Sequence, residues 1–101
     1  MRRAARTDAN HQEIVAALRR AGIAVKSLAA VGKGMPDLLV AFRGVNVLLE
    51  VKDGSKPESE RQLTADEQDF FDTWPGPRFI VTRPEEAVLV VYEAARPKKA
   101  A

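Results

Sequence analysis

The sequence predicts an α/β layer, a mixed β-sheet flanked by helices. Three observations carry this reading. Two short apolar runs, 38–42 and 47–52, lie on either side of Arg43-Gly44-Val45-Asn46 and read as strands joined by a tight connection. An amphipathic repeat precedes them, with Ile14, Ala17, Leu18 and Ala21 on one helical stripe. Thr64 and Glu67 then form a capping box that announces a second helix. The expected order is helix, strand, strand, strand, helix, strand, helix.

Composition narrows the class. A chain of 101 residues with 46% apolar content supports one modest core, so a single domain is expected over 1–101, with 1–7 and 96–101 as flexible basic tails. There is no cysteine, which excludes disulfides, thiolate zinc sites and a cysteine nucleophile. One histidine, His11, excludes a multi-histidine metal centre and reads as a surface residue. No apolar run approaches the ~20 residues of a membrane span. The start of the chain is basic but lacks the apolar segment of a signal peptide, so a cytoplasmic location is the expectation. Net charge is +2 and the pI about 9.2, only mildly basic. Arg2, Arg3 and Arg6 cluster at one end, and Arg96, Lys98 and Lys99 at the other. These tails read either as phosphate contacts or as solubilising ends.

Each element has a local reason. Thr7 or Asp8 can cap the first helix, which runs to about Arg20 or Ala21, and Gly22 is placed to end it in the left-handed conformation. Glu13 borders the apolar stripe and, taken alone, is a solvated helix glutamate. In 23–30, Ile23 and Val25 alternate with Ala24 and Lys26 as in a strand. Gly32-Lys33-Gly34 is a flexible link. Lys33 there is either a solvated loop lysine or a phosphate contact, and no Walker pattern surrounds it. The polar stretch 53–62 reads as a mobile loop, with Lys56 and Arg61 as candidate phosphate contacts. The helix opened by Thr64 continues to about Trp74 and stops at Pro75-Gly76-Pro77. Its stripe of Phe70, Phe71 and Trp74 is expected in the core. Residues 78–82 form a short strand. Pro84-Glu85-Glu86 looks like a first helical turn, and Ala87, Val88, Val91, Tyr92 and Ala95 keep helical spacing. The β-branched run nearby favours strand instead.

The hairpin carries the chemistry. Near-continuous apolar runs suit strands covered on both faces, yet Asp37, Glu50 and Lys52 gather at one end. Glu50 and Lys52 share a face because side chains alternate along a strand. A loop at Arg43-Gly44 sets Asp37 opposite Glu50, and a loop at Gly44-Val45 sets it opposite Lys52. Either register brings both carboxylates and the amine together. Carboxylates at that spacing repel unless a cation lies between them, and such oxygen donors suit Mg²⁺ or Mn²⁺. The backbone carbonyl of Val51 is a further candidate ligand.

Pro36-Asp37 followed by Glu50-Val51-Lys52 resembles the PD-(D/E)xK nuclease motif. With Glu13 in the first helix, Gly32-Lys33-Gly34 before Pro36, and Leu63-Thr64 followed by Gln68, the set is similar to the small stand-alone VRR-NUC branch, related to Holliday-junction resolvases. The resemblance spans about residues 8–95. It implies a restriction-endonuclease-like core and a Mg²⁺- or Mn²⁺-dependent DNA endonuclease, selective for branched DNA such as four-way junctions and acting as a homodimer. It also implies site roles. Asp37 and Glu50 hold the metal, and Lys52 orients water or stabilises negative charge. Glu13 is an outer carboxylate, Gln68 positions Lys52 or the phosphate, and Arg61 stands where the family often has a basic residue. The alternative is a non-catalytic DNA-binding or assembly module on the same fold.

Overall fold

The computed structural model describes residues 9–98. They form α1 (Ala9–Arg20), β1 (Ala24–Ser27), β2 (Leu38–Phe42), β3 (Val45–Val51), α2 (Ala65–Thr73), β4 (Arg78–Val81) and α3 (Pro84–Ala94), with a 3₁₀ turn at Glu58–Glu60. The sheet runs β1-β2-β3-β4. Its first two pairings are antiparallel, and β4 joins β3 in parallel. The chain is therefore an α/β fold with a four-stranded mixed sheet and flanking helices. The expected caps Thr7 and Asp8 lie outside the described residues, as do Arg2, Arg3, Arg6 and Lys99. Among the described residues, no helix is long and apolar enough to cross a membrane.

Helix α1 ends as its sequence implies. Gly22 takes φ 81°, its N–H donates to the Arg19 carbonyl, and the Ile23 N–H donates to that of Leu18, both at 3.0 Å. This double closure turns the chain straight into β1. β1 is shorter than the expected 23–30, because Leu28 to Val31 fold into a turn closed by a 2.9 Å bond between their backbones.

The hairpin decides between the two registers. Arg43 and Gly44 both take positive φ, 52° and 80°, as a type I′ turn requires. Phe42 pairs with Val45 and Leu38 with Leu49, so the loop is Arg43-Gly44 alone. Val45 and Asn46, expected in the turn, belong to β3.

One sheet face holds the core. Val25, Leu38, Val40, Val47, Leu49 and Val81 meet Ile14 and Leu18 of α1 and Ala87 and Val91 of α3. Each fully buried aliphatic side chain contributes about 1.5–3 kcal/mol. Among the described residues, only β3 is buried on both faces, from Val47 through Glu50. β2 alternates, leaving Leu39 exposed. The covering of both strands expected from the apolar runs holds for β3 only.

Segment 84–94 is a helix despite its β-branched run. Pro84 opens it, and Glu86 accepts from the Thr82 N–H (2.7 Å) and hydroxyl (3.2 Å). Ala87 and Val91, one turn apart, are fully buried, so packing overrides propensity.

Helix α2 departs from its expected role. It has no buried residue, Trp74 is 44% exposed, and Phe70 stacks on Trp74 with ring centroids 5.0 Å apart. α1 and α3 already fill the core face, so this stripe pairs with itself one turn apart. Arg78 ties the helix end to β4, donating from Nη2 (2.6 Å) and Nε (3.0 Å) to the Phe71 carbonyl.

Gly34 lets the loop before β2 abut the start of α2. It has φ 82°, and a Cβ there would lie 2.5 Å from the Asp66 carbonyl. Gly34→Ala is expected to destabilise the fold by about 2–4 kcal/mol in urea unfolding, combining left-handed strain with overlap. Gly32→Ala, with similar φ but open space, is expected to cost only about 1–2 kcal/mol. Equal losses would show that the contact with α2 is not tight.

Candidate active site

The register carries the acids to one place. Continuing the ladder one step beyond Leu38 and Leu49 sets Asp37 beside Glu50, with both side chains on the sheet face opposite the core. Asp37 Oδ2 accepts the Val51 N–H at 2.8 Å. A strand residue's N–H and C=O leave the same edge, so the Val51 carbonyl also points to the Asp37 side. Lys52, two residues after Glu50, returns to the same face. Its Nζ lies 3.4 Å from Glu50 Oε2 and 3.1 Å from Glu67 Oε1.

Glu67 was not foreseen here. Its sequence signal was the capping box, and the box forms: the Thr64 N–H donates to Glu67 Oε1 at 2.9 Å, and the Glu67 N–H donates to Thr64 Oγ1 at 3.2 Å. The same Oε1 also takes the Lys52 ammonium. The helix cap is therefore also an ion-pair partner, which the local pattern does not reveal. Asn10 is a second addition. Its Nδ2 donates to the Lys52 carbonyl at 2.9 Å, pinning the end of β3 to α1.

Electrostatics set this cluster apart. Glu50 is 3% exposed, and its Oε1 has no hydrogen-bond partner. Burial, then the Asp37 and Glu67 charges, raise its pKa to about 8, against the downward pull of Lys52. For Lys52, burial acts to lower the pKa, but the Glu67 hydrogen bond and the charges of Glu50 and Glu67 outweigh it, and the net shift is upward. For Glu67, burial raises the pKa, but the Thr64 N–H and Lys52 outweigh it, and the net shift is downward. The amine and Glu67 are thus held as a charged pair, while Glu50 is neutral over much of the ordinary pH range unless a further cation is present.

An open cleft of ≈ 420 Å³ adjoins the cluster, lined by Asn10, Glu13, Asp53, Arg61 and Arg83 among others. It lies beyond the carboxyl ends of the parallel pair β3 and β4, where ligands of α/β sheets gather. Asn10 belongs both to this cleft and to the Lys52 contact. The chain was compared with known proteins, and no family model, curated protein or solved structure matches it.

The remaining candidates divide. Glu13 is exposed and lines the cleft. Arg61 lines it too, its Nε donating to the Lys56 carbonyl at 2.9 Å. The Lys33 and Lys56 side chains are exposed, on the loops before β2 and after β3. Gln68 is not brought to the cluster. It is exposed and donates to Asp72 along the outer side of α2 at 2.9 Å. Successive helix positions point about 100° apart, so with Glu67 facing Lys52 its neighbour turns away.

Among the described residues, no group of three or more His, Cys, Asp and Glu side chains is arranged to hold a metal ion. The donors at the sheet end are instead two carboxylates, Asp37 and Glu50, and the Val51 carbonyl. A buried carboxylate with an unpartnered oxygen fits a divalent cation, because it is costly to ionise without one.

Proposed function

We propose that the protein is a Mg²⁺- or Mn²⁺-dependent DNA endonuclease with a restriction-endonuclease-like core, of the PD-(D/E)xK kind and akin to its stand-alone VRR-NUC branch. One observation carries the reading. Glu50 is buried with a free oxygen, on the same face as Asp37, with the Lys52 amine 3.4 Å away. An incidental surface Glu-Val-Lys would leave that carboxylate in water.

Asp37, Glu50 and the Val51 carbonyl would hold the cation. When bound, it supplies charge neutralisation at the phosphodiester and makes water more acidic. The chain's own groups do the rest. Lys52 places a fixed positive charge where negative charge develops on phosphorus-bound oxygens. Glu67 and Glu50 hold that amine from two sides, and Asn10 anchors the backbone beneath it. Arg61, in the adjoining cleft, is placed to meet a neighbouring phosphate, and Glu13 can orient water there. In the overall hydrolysis, a water oxygen bonds to phosphorus, one P–O bond breaks, and the departing sugar oxygen takes a proton. Symmetric cuts in a four-way junction need two such sites, which calls for a homodimer.

Labelled four-way junctions, flaps and duplex, incubated with Mg²⁺ or with EDTA, test the proposal. Cutting is expected only with the metal, and Asp37→Ala is expected to lower it by about 10²–10³-fold or more. Metal-independent cutting, no cutting of any DNA, or undiminished cutting by Asp37→Ala would overturn it.

A further inference from the structure

A second groove lies at the other end of the hairpin. Five strand steps of about 3.3–3.4 Å separate Asp37 from Phe42, so the two ends are about 17 Å apart. The groove has a volume of ≈ 440 Å³, and its lining includes Phe42, Arg43, Leu89, Tyr92, Glu93 and Arg96. This is within the range of small-ligand clefts and leaves room for a nucleotide.

Its construction is specific. Phe42 and Tyr92 pair with ring centroids 4.9 Å apart and a 31° tilt. The Tyr92 hydroxyl donates to the Ala21 carbonyl at 3.0 Å, fixing the ring while 41% of the residue stays exposed. The Arg43 guanidinium lies 5.2 Å from the centre of the Phe42 ring. Arg43 sits in left-handed backbone at φ 52°, where Asn, Asp or Gly is favoured, so an arginine there carries strain. Arg96 is taken by Glu93, the one acid of the lining, at 2.6 Å. Among the described residues, Arg43 has no carboxylate partner. An aromatic face beside an uncompensated guanidinium matches the chemistry of a base attached to a phosphate.

We propose that this groove binds an unpaired stretch of DNA, with a base against Tyr92 and Phe42 and a phosphate on Arg43. The inference rests on the nuclease reading for its choice of polymer. It adds that a single-stranded arm of a branched substrate is held at the far end of the hairpin and on the core side of the sheet, more than about 17 Å from the point of cutting.

Binding of fluorescein-labelled oligothymidylate, followed by anisotropy in EDTA, tests it without any cleavage. Arg43→Asn keeps a residue suited to the turn and removes the charge. It is expected to weaken binding about fivefold or more, and to lower the slope of log K against log salt by about 0.7. Tyr92→Ala is expected to weaken binding by about tenfold. Should that variant fail to fold, Arg43→Asn decides alone. Unchanged affinity and slope in Arg43→Asn would overturn the proposal. So would polyglutamate binding as tightly as the oligonucleotide and weakening equally in Arg43→Asn, because the groove would then take acidic peptide. Binding is read in EDTA, where no cutting is expected, so loss of cutting and loss of this groove are read separately.

Discussion

Glu50→Gln is expected to stabilise the metal-free protein at pH 8 while abolishing cleavage. The two effects have one cause. The Glu50 carboxyl has its pKa raised by burial, and then by the neighbouring acids, to about 8. A raised carboxyl pKa means that the folded state binds the proton more tightly than the unfolded chain. The resulting stability is fully present below the usual glutamate pKa and is lost as pH rises through about 8. Wild-type stability in EDTA should therefore fall between about pH 5 and pH 8. Glutamine keeps the shape of the neutral form and cannot ionise, so the alkaline decline should flatten, with a gain on the order of 1–3 kcal/mol at pH 8. Glu67 has the opposite sense. Its lowered pKa gives stability present above the usual glutamate value and lost as pH falls through the lowered one, so the acid decline should persist in Glu50→Gln. Urea unfolding at a series of pH values measures both limbs. Mn²⁺ at pH 8 is expected to stabilise the wild type by mass action and to have much less effect on Glu50→Gln. Cleavage by Glu50→Gln should fall by about 10²–10³-fold or more. A variant whose stability declines with pH as steeply as the wild type would refute the role given to this carboxyl.

Lys52→Met is expected to cost both stability and activity, more at pH 8 than at pH 5. Lys52 lies between Glu50 and Glu67, with side chains 16%, 4% and 18% exposed. Removing the ammonium leaves two acids facing each other with little water. Breaking a buried pair on one side costs about 3–5 kcal/mol, and solvent access to Lys52 and Glu67 reduces this to about 2–4. At pH 5 the Glu50 carboxyl is protonated, so the repulsion and much of the loss should disappear. Two milder changes separate positioning from chemistry. Glu67→Gln keeps a side-chain acceptor for the Thr64 N–H but weakens the hold on Lys52. It should cost about 1 kcal/mol and lower kcat about tenfold with little change in KM. Gln68→Ala, on the outer side of α2, should stay within about 0.5 kcal/mol of the wild type and cut normally. The reverse ranking, with Gln68→Ala inactive and Glu67→Gln active, would show that α2 turns a different face to the site.

Glu67 also shows where sequence reading stopped. The Thr64 cap, and the glutamate three residues after it, were legible because a capping box depends only on neighbouring residues. That its carboxylate also accepts from Lys52 depends on where α2 lies relative to β3, fifteen residues away in the chain. Gln68 shows the converse. A motif placed it near the site, but one step of helical rotation took it to the solvent side. Phe70 and Trp74 had helical spacing, yet spacing cannot say whether a sheet face remains free to receive them.

The local pattern by itself determined the α/β class, the helix end at Gly22, the hairpin, and the shared face of Glu50 and Lys52. These depend on backbone geometry, glycine conformation and the two-residue repeat of a strand, all of which act within a few residues. Tertiary structure decided three things. It selected the Arg43-Gly44 turn, and with it the meeting of Asp37 and Glu50. It made segment 84–94 a helix by burying Ala87 and Val91. It brought Asn10, from α1 far earlier in the chain, and Glu67, from α2 fifteen residues later, to Lys52. Burial and contact between distant segments depend on how the elements stack, and no short stretch of residues encodes that.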